Sequence, residues 1–161
     1  MKTTILSAFV IFVLASCGTS DQPQAEQQQA GKPAPPAKFI LRAAGDKYVT
    51  VSPDNFALIA NQSDAAKTDT FEIMELQNGK SALKVKGKFV SADRDKGGSL
   101  VANREKAHSW ESFEIFGLDE NKINFKDSNG KFVCADLNMG GILIADRDKA
   151  GDWERFTVEA K

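Results

Sequence analysis

The chain reads as an all-β protein made of three similar four-stranded units, and three observations predict it. Short phrases recur in register: Asp46-Lys47-Tyr48-Val49, Gly87-Lys88-Phe89-Val90 and Gly130-Lys131-Phe132-Val133 stand 41 and 43 residues apart. Within each unit, apolar residues mostly alternate with polar ones, the period of a half-buried strand, and clusters of Gly, Asn, Asp and Ser separate the alternating runs. No stretch carries a strong helical period.

Each unit passes through four segments in the same order. An alternating pair comes first, ahead of a turn: Phe39 and Leu41, Leu83 and Val85, or Ile123 and Phe125. The Lys-aromatic-Val phrase follows the turn. Leu58-Ile59-Ala60-Asn61, Leu100-Val101-Ala102-Asn103 and Leu143-Ile144-Ala145-Asp146 form the third segment, and Thr70-Phe71-Glu72-Ile73, Ser112-Phe113-Glu114-Ile115 and Arg155-Phe156-Thr157-Val158 the fourth. Three units of four strands in about 120 residues predict a single β-trefoil, with six strands in a short barrel and three hairpins capping one end. One unit buries only a third of a core, so the three must close around a pseudo-threefold axis, which also removes most exposed strand edges. The expected core is Phe39, Leu41, Tyr48, Leu58, Phe71, Ile73, Leu83, Val85, Phe89, Leu100, Phe113, Ile115, Ile123, Phe125, Phe132, Leu143, Phe156 and Val158.

This domain is expected over residues 38–161. Ahead of it, Lys2 and the apolar run Ile5 to Ala15 suit an export signal and are too short for a mature membrane span. The run ends in Leu14-Ala15-Ser16-Cys17, which resembles the bacterial lipobox. Residues 1–16 are therefore expected to be a lipoprotein signal peptide, with Cys17 lipidated and anchoring the protein to a bacterial membrane, periplasmic or surface-exposed. Residues 18–37, rich in Gln, Ala, Pro, Ser and Gly, have too little apolar surface to offset ordering entropy and are expected to be a flexible linker.

Composition narrows the function. Net charge is −1, and about −2 without Lys2, with both signs interspersed. That balance argues against nucleic acid as a partner, because duplex binding draws on clustered Lys and Arg. Cys134 has no partner in the folded part and reads as a small buried hydrophobe. The sole histidine, His108, reads as a solvated turn residue, and no nucleophile motif accompanies it. Metal spacings are absent: Asp93-Arg94-Asp95-Lys96-Gly97-Gly98 interrupts its carboxylates with cations. Other acids recur with the repeat, as at Glu111 and Glu154, whereas a single active site seldom needs repeat-equivalent acids. A non-catalytic monomer without metal or cofactor is expected.

The phrase Gly87-Lys88-Phe89-Val90-Ser91-Ala92-Asp93, then Leu100 to Arg104, then Trp110-Glu111-Ser112-Phe113-Glu114, resembles the fascin-like, or actin-crosslinking-like, β-trefoil repeat. The third unit repeats it from Gly130 to Asp136, Leu143 to Arg147 and Trp153 to Phe156. Animal members of that family bundle actin with four such domains, and this chain has one. Bacterial modules of this kind occur beside polysaccharide-degrading enzymes or as secreted proteins, so the resemblance implies carbohydrate binding. The first unit has Thr68-Asp69 where the others have Trp-Glu.

The residues themselves suggest where a ligand would sit. Trp110 and Trp153 either plug the ends of the barrel or offer flat faces to a sugar, with Asn103 and Arg104, Asp146 and Arg147, and Asp93 and Asp136 as polar neighbours. Arg104 and Arg147 stand seven residues before Glu111 and Glu154, a spacing that predicts an ion pair or bidentate hydrogen bond joining the third strand to the following turn in each unit. Phe56 and Phe116 have no repeat equivalents and are expected to be exposed. Lys84, Lys86 and Lys88 are expected to share one strand face. The expected partner is a glycan, the alternative an envelope or secreted protein recruited through the loops.

Overall fold

The structure, a computed structural model, describes residues 38–119 and 121–161; the expected signal peptide, Cys17 and the linker to residue 37 lie outside the described residues. The first unit holds β1 (Lys38–Arg42), β2 (Tyr48–Val51), β3 (Leu58–Gln62) and β4 (Phe71–Glu75). The second holds β5 (Ser81–Val85), β6 (Lys88–Asp93), β7 (Ser99–Arg104) and β8 (Ser112–Gly117). The third holds β9 (Lys122–Lys126), β10 (Phe132–Asp136), β11 (Ile142–Arg147) and β12 (Phe156–Ala160). Four one-turn 3-10 segments interrupt them.

The first and fourth strands of each unit close a ring. β1 pairs with β4, β4 with β5, β5 with β8, β8 with β9, β9 with β12, and β12 returns to β1, all antiparallel. The second and third strands make the hairpins β2–β3, β6–β7 and β10–β11. These close on one another through three equivalent bridges, Ala57 with Val101, Ser99 with Ile144, and Ile142 with Ile59. The architecture is a β-trefoil: a six-stranded barrel with a triangular cap.

Inside, Phe39, Phe71, Phe113, Phe125 and Phe156 are fully buried with Leu41, Leu58, Leu83, Leu100 and Leu143. The expected core is corrected at one position per unit. Tyr48, Phe89 and Phe132 are only half-buried, and the valines that follow them, Val49, Val90 and Val133, fill the interior. Each hairpin has a β-bulge between these two residues, which resets the inward face, and the cap interior has room for Val and Ala rather than a ring. The displaced aromatics take cationic partners on the outer face: Lys84 Nζ lies 5.4 Å from the Phe89 ring and Lys126 Nζ 4.5 Å from the Phe132 ring. In the first unit, Tyr48 donates to Glu159 at 3.1 Å and Arg42 to the same carboxylate at 2.9 Å. Ile73 and Ile115 are partly buried against the core.

The expected lysine face is also corrected. A tight turn at Lys86 and Gly87, both with positive φ, separates β5 from β6. Lys84 therefore meets Phe89, Lys86 meets Asp69 at 3.2 Å, and Lys88 pairs with Glu105. The Lys88–Glu105 tie repeats as Lys131–Asp148 and, in the first unit, as Lys47 donating to Ser63 at 2.6 Å.

Two irregularities have measurable consequences. Asn124 occupies the register position of Ile40 and Ala82, is buried like them, and its Oδ1 has no hydrogen-bond partner among the described residues. An orphaned buried acceptor costs about 1–3 kcal/mol. Asn124→Val should therefore stabilise the protein by about 1 kcal/mol or more in urea titrations; a destabilised variant would show that the amide is satisfied.

Phe56 is exposed, as expected, and adopts φ 61°, a conformation that costs a non-glycine residue about 1–2 kcal/mol. It stands where the other units place Gly98 and Gly141, in a loop one residue shorter. Phe56→Gly relieves that strain but adds about 0.5–1 kcal/mol of chain entropy to lose on folding. The net expectation is a gain below about 1 kcal/mol, read from the denaturation midpoint. A loss above that size would mean that the ring packs more than its exposure shows.

Candidate functional site

The tryptophans are set by the residue that follows each of them. Glu111 and Glu154 are buried, each closing the turn that leads into the fourth strand of its unit. The Glu111 carboxylate accepts from the His108 backbone N–H at 2.9 Å, and the Glu154 carboxylate from that of Gly151 at 2.6 Å. Arg104 Nε lies 3.7 Å from Glu111 and Arg147 Nε 3.9 Å from Glu154, the two ion pairs expected from the spacing of seven. With the glutamate turned inward, the preceding residue turns out. Trp110 and Trp153 are each 54% exposed. They present faces to solvent and do not plug the barrel.

The first unit shows what happens without this pair. Asp69, one methylene shorter, accepts from the Val51 backbone N–H at 2.8 Å and draws the segment against β2. Thr68 then becomes buried, its hydroxyl donating to the Val49 carbonyl at 3.0 Å. Two threefold-related tryptophan corners therefore exist.

Their surroundings differ. In the second unit, Arg94 stacks on Trp110 with its guanidinium carbon 5.3 Å from the ring. A cleft of about 610 Å³ opens beside it, walled by Asp95, Arg104, Glu105, Lys106, His108, Trp110 and Glu111. Asp93 and Asn103 are not among its walls. Asp93 caps the Arg94–Lys96 turn by accepting from Asp95 N–H at 3.2 Å, and Asn103 is exposed on β7, toward the other end of the hairpin. The structure thus joins Arg104 and Trp110, and adds Arg94, Asp95, Lys106 and His108. His108 is exposed, as expected of a turn residue, but it faces the cleft.

In the third unit, Asp136 caps its turn by accepting from Asn138 and Met139, at 2.9 and 3.3 Å. Arg147 gathers Asp146 at 3.3 Å, Asp136 at 3.8 Å and Glu154. The Arg94 and Lys96 positions are taken by Leu137 and Met139, both exposed. Cys134 is buried, as expected, and its thiol points to Asp146 at 3.8 Å. Burial pushes that thiol's pKa up against the opposing pull of Arg147, so it stays protonated and unreactive at neutral pH.

An exposed indole beside a guanidinium and a buried carboxylate can stack on a flat apolar face and offer charge-assisted hydrogen bonds at its edge. The glutamates are the anchor of that arrangement. Glu111→Ala leaves the His108 N–H and Arg104 without their acceptor and should cost about 2 kcal/mol. Glu111→Gln, which keeps an acceptor, should cost less than half as much. Chemical denaturation compares the two; equal losses would remove the anchoring role.

Residues 83–161, the part of the chain that carries both tryptophan corners, match the model of a family described as a domain of unknown function, DUF7910. No curated protein matches the sequence. Among solved structures, the fold is similar to a designed threefold-symmetric protein, ThreeFoil, with a TM-score of 0.66 at 13% identity, over 78% of this chain and all of that one. It is similar to a GlcNAcα1-4Gal-releasing endo-β-galactosidase from Clostridium perfringens, with a TM-score of 0.65 at 10% identity, over 78% of this chain and 33% of that one. A third similarity is to SeviL bound to asialo-GM1 saccharide, with a TM-score of 0.60 at 8% identity, over 77% of this chain and 97% of that one. The chain therefore spans about a third of the endo-β-galactosidase and nearly the whole of the other two. At these identities the likeness is one of fold, and the fold is the β-trefoil.

Proposed function

We propose that this protein is a non-catalytic, carbohydrate-binding module of the fascin-like β-trefoil type, tethered to the bacterial cell envelope through a lipid on Cys17. The observation that carries the reading is the pair of exposed indoles, Trp110 and Trp153, each held by the same Arg-Glu anchor. Sugars present apolar C–H faces ringed by hydroxyls, and a solvent-facing aromatic beside fixed polar groups is complementary to both. Two proteins of similar fold deal with saccharides: one is a GlcNAcα1-4Gal-releasing endo-β-galactosidase and one is bound to asialo-GM1 saccharide. The lipobox at Leu14 to Cys17 supports the anchor.

The test is a glycan array probed with the purified protein and with Trp110→Ala, Trp153→Ala and the double variant. Each single variant should lose about tenfold or more in affinity at its own corner, and the double variant should lose all signal while keeping its thermal midpoint. Binding unchanged in folded variants would refute the site. For the tether, Cys17→Ser should release the protein from membrane fractions; a variant that stays membrane-bound would refute the lipid anchor.

A further inference from the structure

We infer that the cleft of the second unit takes an acidic sugar, a saccharide whose carboxylate lies against Arg104 and Lys106, beside the Arg94–Trp110 stack, while its ring packs on the indole. This rests on the carbohydrate reading and narrows it for one corner. The argument begins with which charges are already committed. Glu105 is tied to Lys88, and Glu111 is buried and satisfied by the His108 N–H and by Arg104. Arg104 gives Glu111 one long contact from Nε and is otherwise exposed, so its terminal N–H groups remain open.

Among the described residues Lys106 makes no ion pair, and Arg94 meets only the indole face. Against Arg104 and Lys106 in the cleft wall, with Arg94 on the adjoining indole, stands one uncommitted acid, Asp95. A carboxylate entering here meets a guanidinium and an ammonium beside an aromatic face, and a planar guanidinium can pair with a carboxylate through two parallel hydrogen bonds.

The third unit provides the internal comparison. Its tryptophan corner keeps Arg147 and Lys149, but Leu137 replaces Arg94, Gly151 replaces His108, and Asp146 replaces Asn103. Arg147 is gathered by three carboxylates, so little of its positive charge faces outward. The same backbone thus carries one cationic and one neutral-to-acidic corner, and only the first suits an anionic ligand.

Matched ligand pairs test this: 3′-sialyllactose against lactose, and a galacturonate trisaccharide against its neutral galactose counterpart, titrated into the protein at low and physiological salt. In each pair the acidic member should bind at least tenfold more tightly. Salt should erode that preference, because it rests on exposed charges. Arg94→Leu with Lys106→Ala should abolish it, and Arg94→Lys should restore part of it. Thermal midpoints confirm folding.

Equal or tighter binding of the neutral members, still lost in Trp110→Ala, would overturn the acidic assignment and leave the carbohydrate reading standing. An acidic preference that survives the double cation variant would overturn its placement in this cleft. Absence of binding by every saccharide, there and on the array, would end both readings.

Discussion

Phe125→Ala should destabilise the protein by about 3–5 kcal/mol, a loss comparable with the whole stability of many domains. The Phe125 side chain is fully buried on β9, with its ring centroid 5.0 Å from that of Phe156 and 5.8 Å from that of Phe113. Truncation removes burial and both ring contacts together, and the barrel cannot collapse into the gap because its strands are hydrogen-bonded in a closed ring. The threefold symmetry supplies its own control. Leu41 and Leu83 occupy the equivalent register positions on β1 and β5. Phe125→Leu therefore places a side chain already proven in that geometry and should cost no more than about 1.5 kcal/mol. Urea unfolding with an unchanged m-value would report the difference. A loss below about 1 kcal/mol for Phe125→Ala would mean that the centre of the barrel is not packed as described.

Much of this architecture was legible because a repeat constrains spacing, and spacing survives ignorance of contacts. Three registered copies of the same four segments admit few closed arrangements, and the ring of β1, β4, β5, β8, β9 and β12 is one of them. The facing of Tyr48, Phe89 and Phe132 was not legible. Period-two alternation is ambiguous by one residue wherever a bulge inserts an extra position, and the largest apolar residue is then a misleading guide to the interior. Phe89 and Phe132 instead lie under Lys84 and Lys126, and Tyr48 shares the Glu159 carboxylate with Arg42.

The site shows the same division. The Arg–Glu pairs were readable because a spacing of seven recurs twice, and the outward turn of the tryptophans follows from the buried glutamates. Arg94 was not readable as a partner of Trp110, because the two lie in separate turns whose approach depends on how the hairpin folds back over the fourth strand. The absence of a corner in the first unit was readable only as a substitution, Thr68-Asp69 for Trp-Glu. The reason is a shorter carboxylate pulled against the Val51 N–H, a contact between segments eighteen residues apart that spacing alone does not reveal.

Gly141→Ala is the second large effect, and its neighbour sharpens it. A Cβ on Gly141 would lie 2.5 Å from the Ala60 carbonyl oxygen, at a residue whose φ is +84°. The Gly141 carbonyl accepts from Ala60 N–H at 2.7 Å, one of three equivalent bonds that close the cap, alongside Gly98 with Ala145 and Phe56 with Ala102. A side chain there must push β3 away or break that bond. Left-handed strain of about 1–2 kcal/mol then adds to a lost hydrogen bond of about 0.5–1.5 kcal/mol, for a total of about 1.5–3.5 kcal/mol. Gly140 has φ +72° and open space where its Cβ would go, so Gly140→Ala meets the strain alone, about 1–2 kcal/mol. Gly98→Ala should behave as Gly141→Ala does, because its Cβ would meet the Ala145 oxygen at 2.7 Å. Equal losses at positions 140 and 141 would show that backbone conformation, and not the closeness of the strands across the threefold axis, decides the cost.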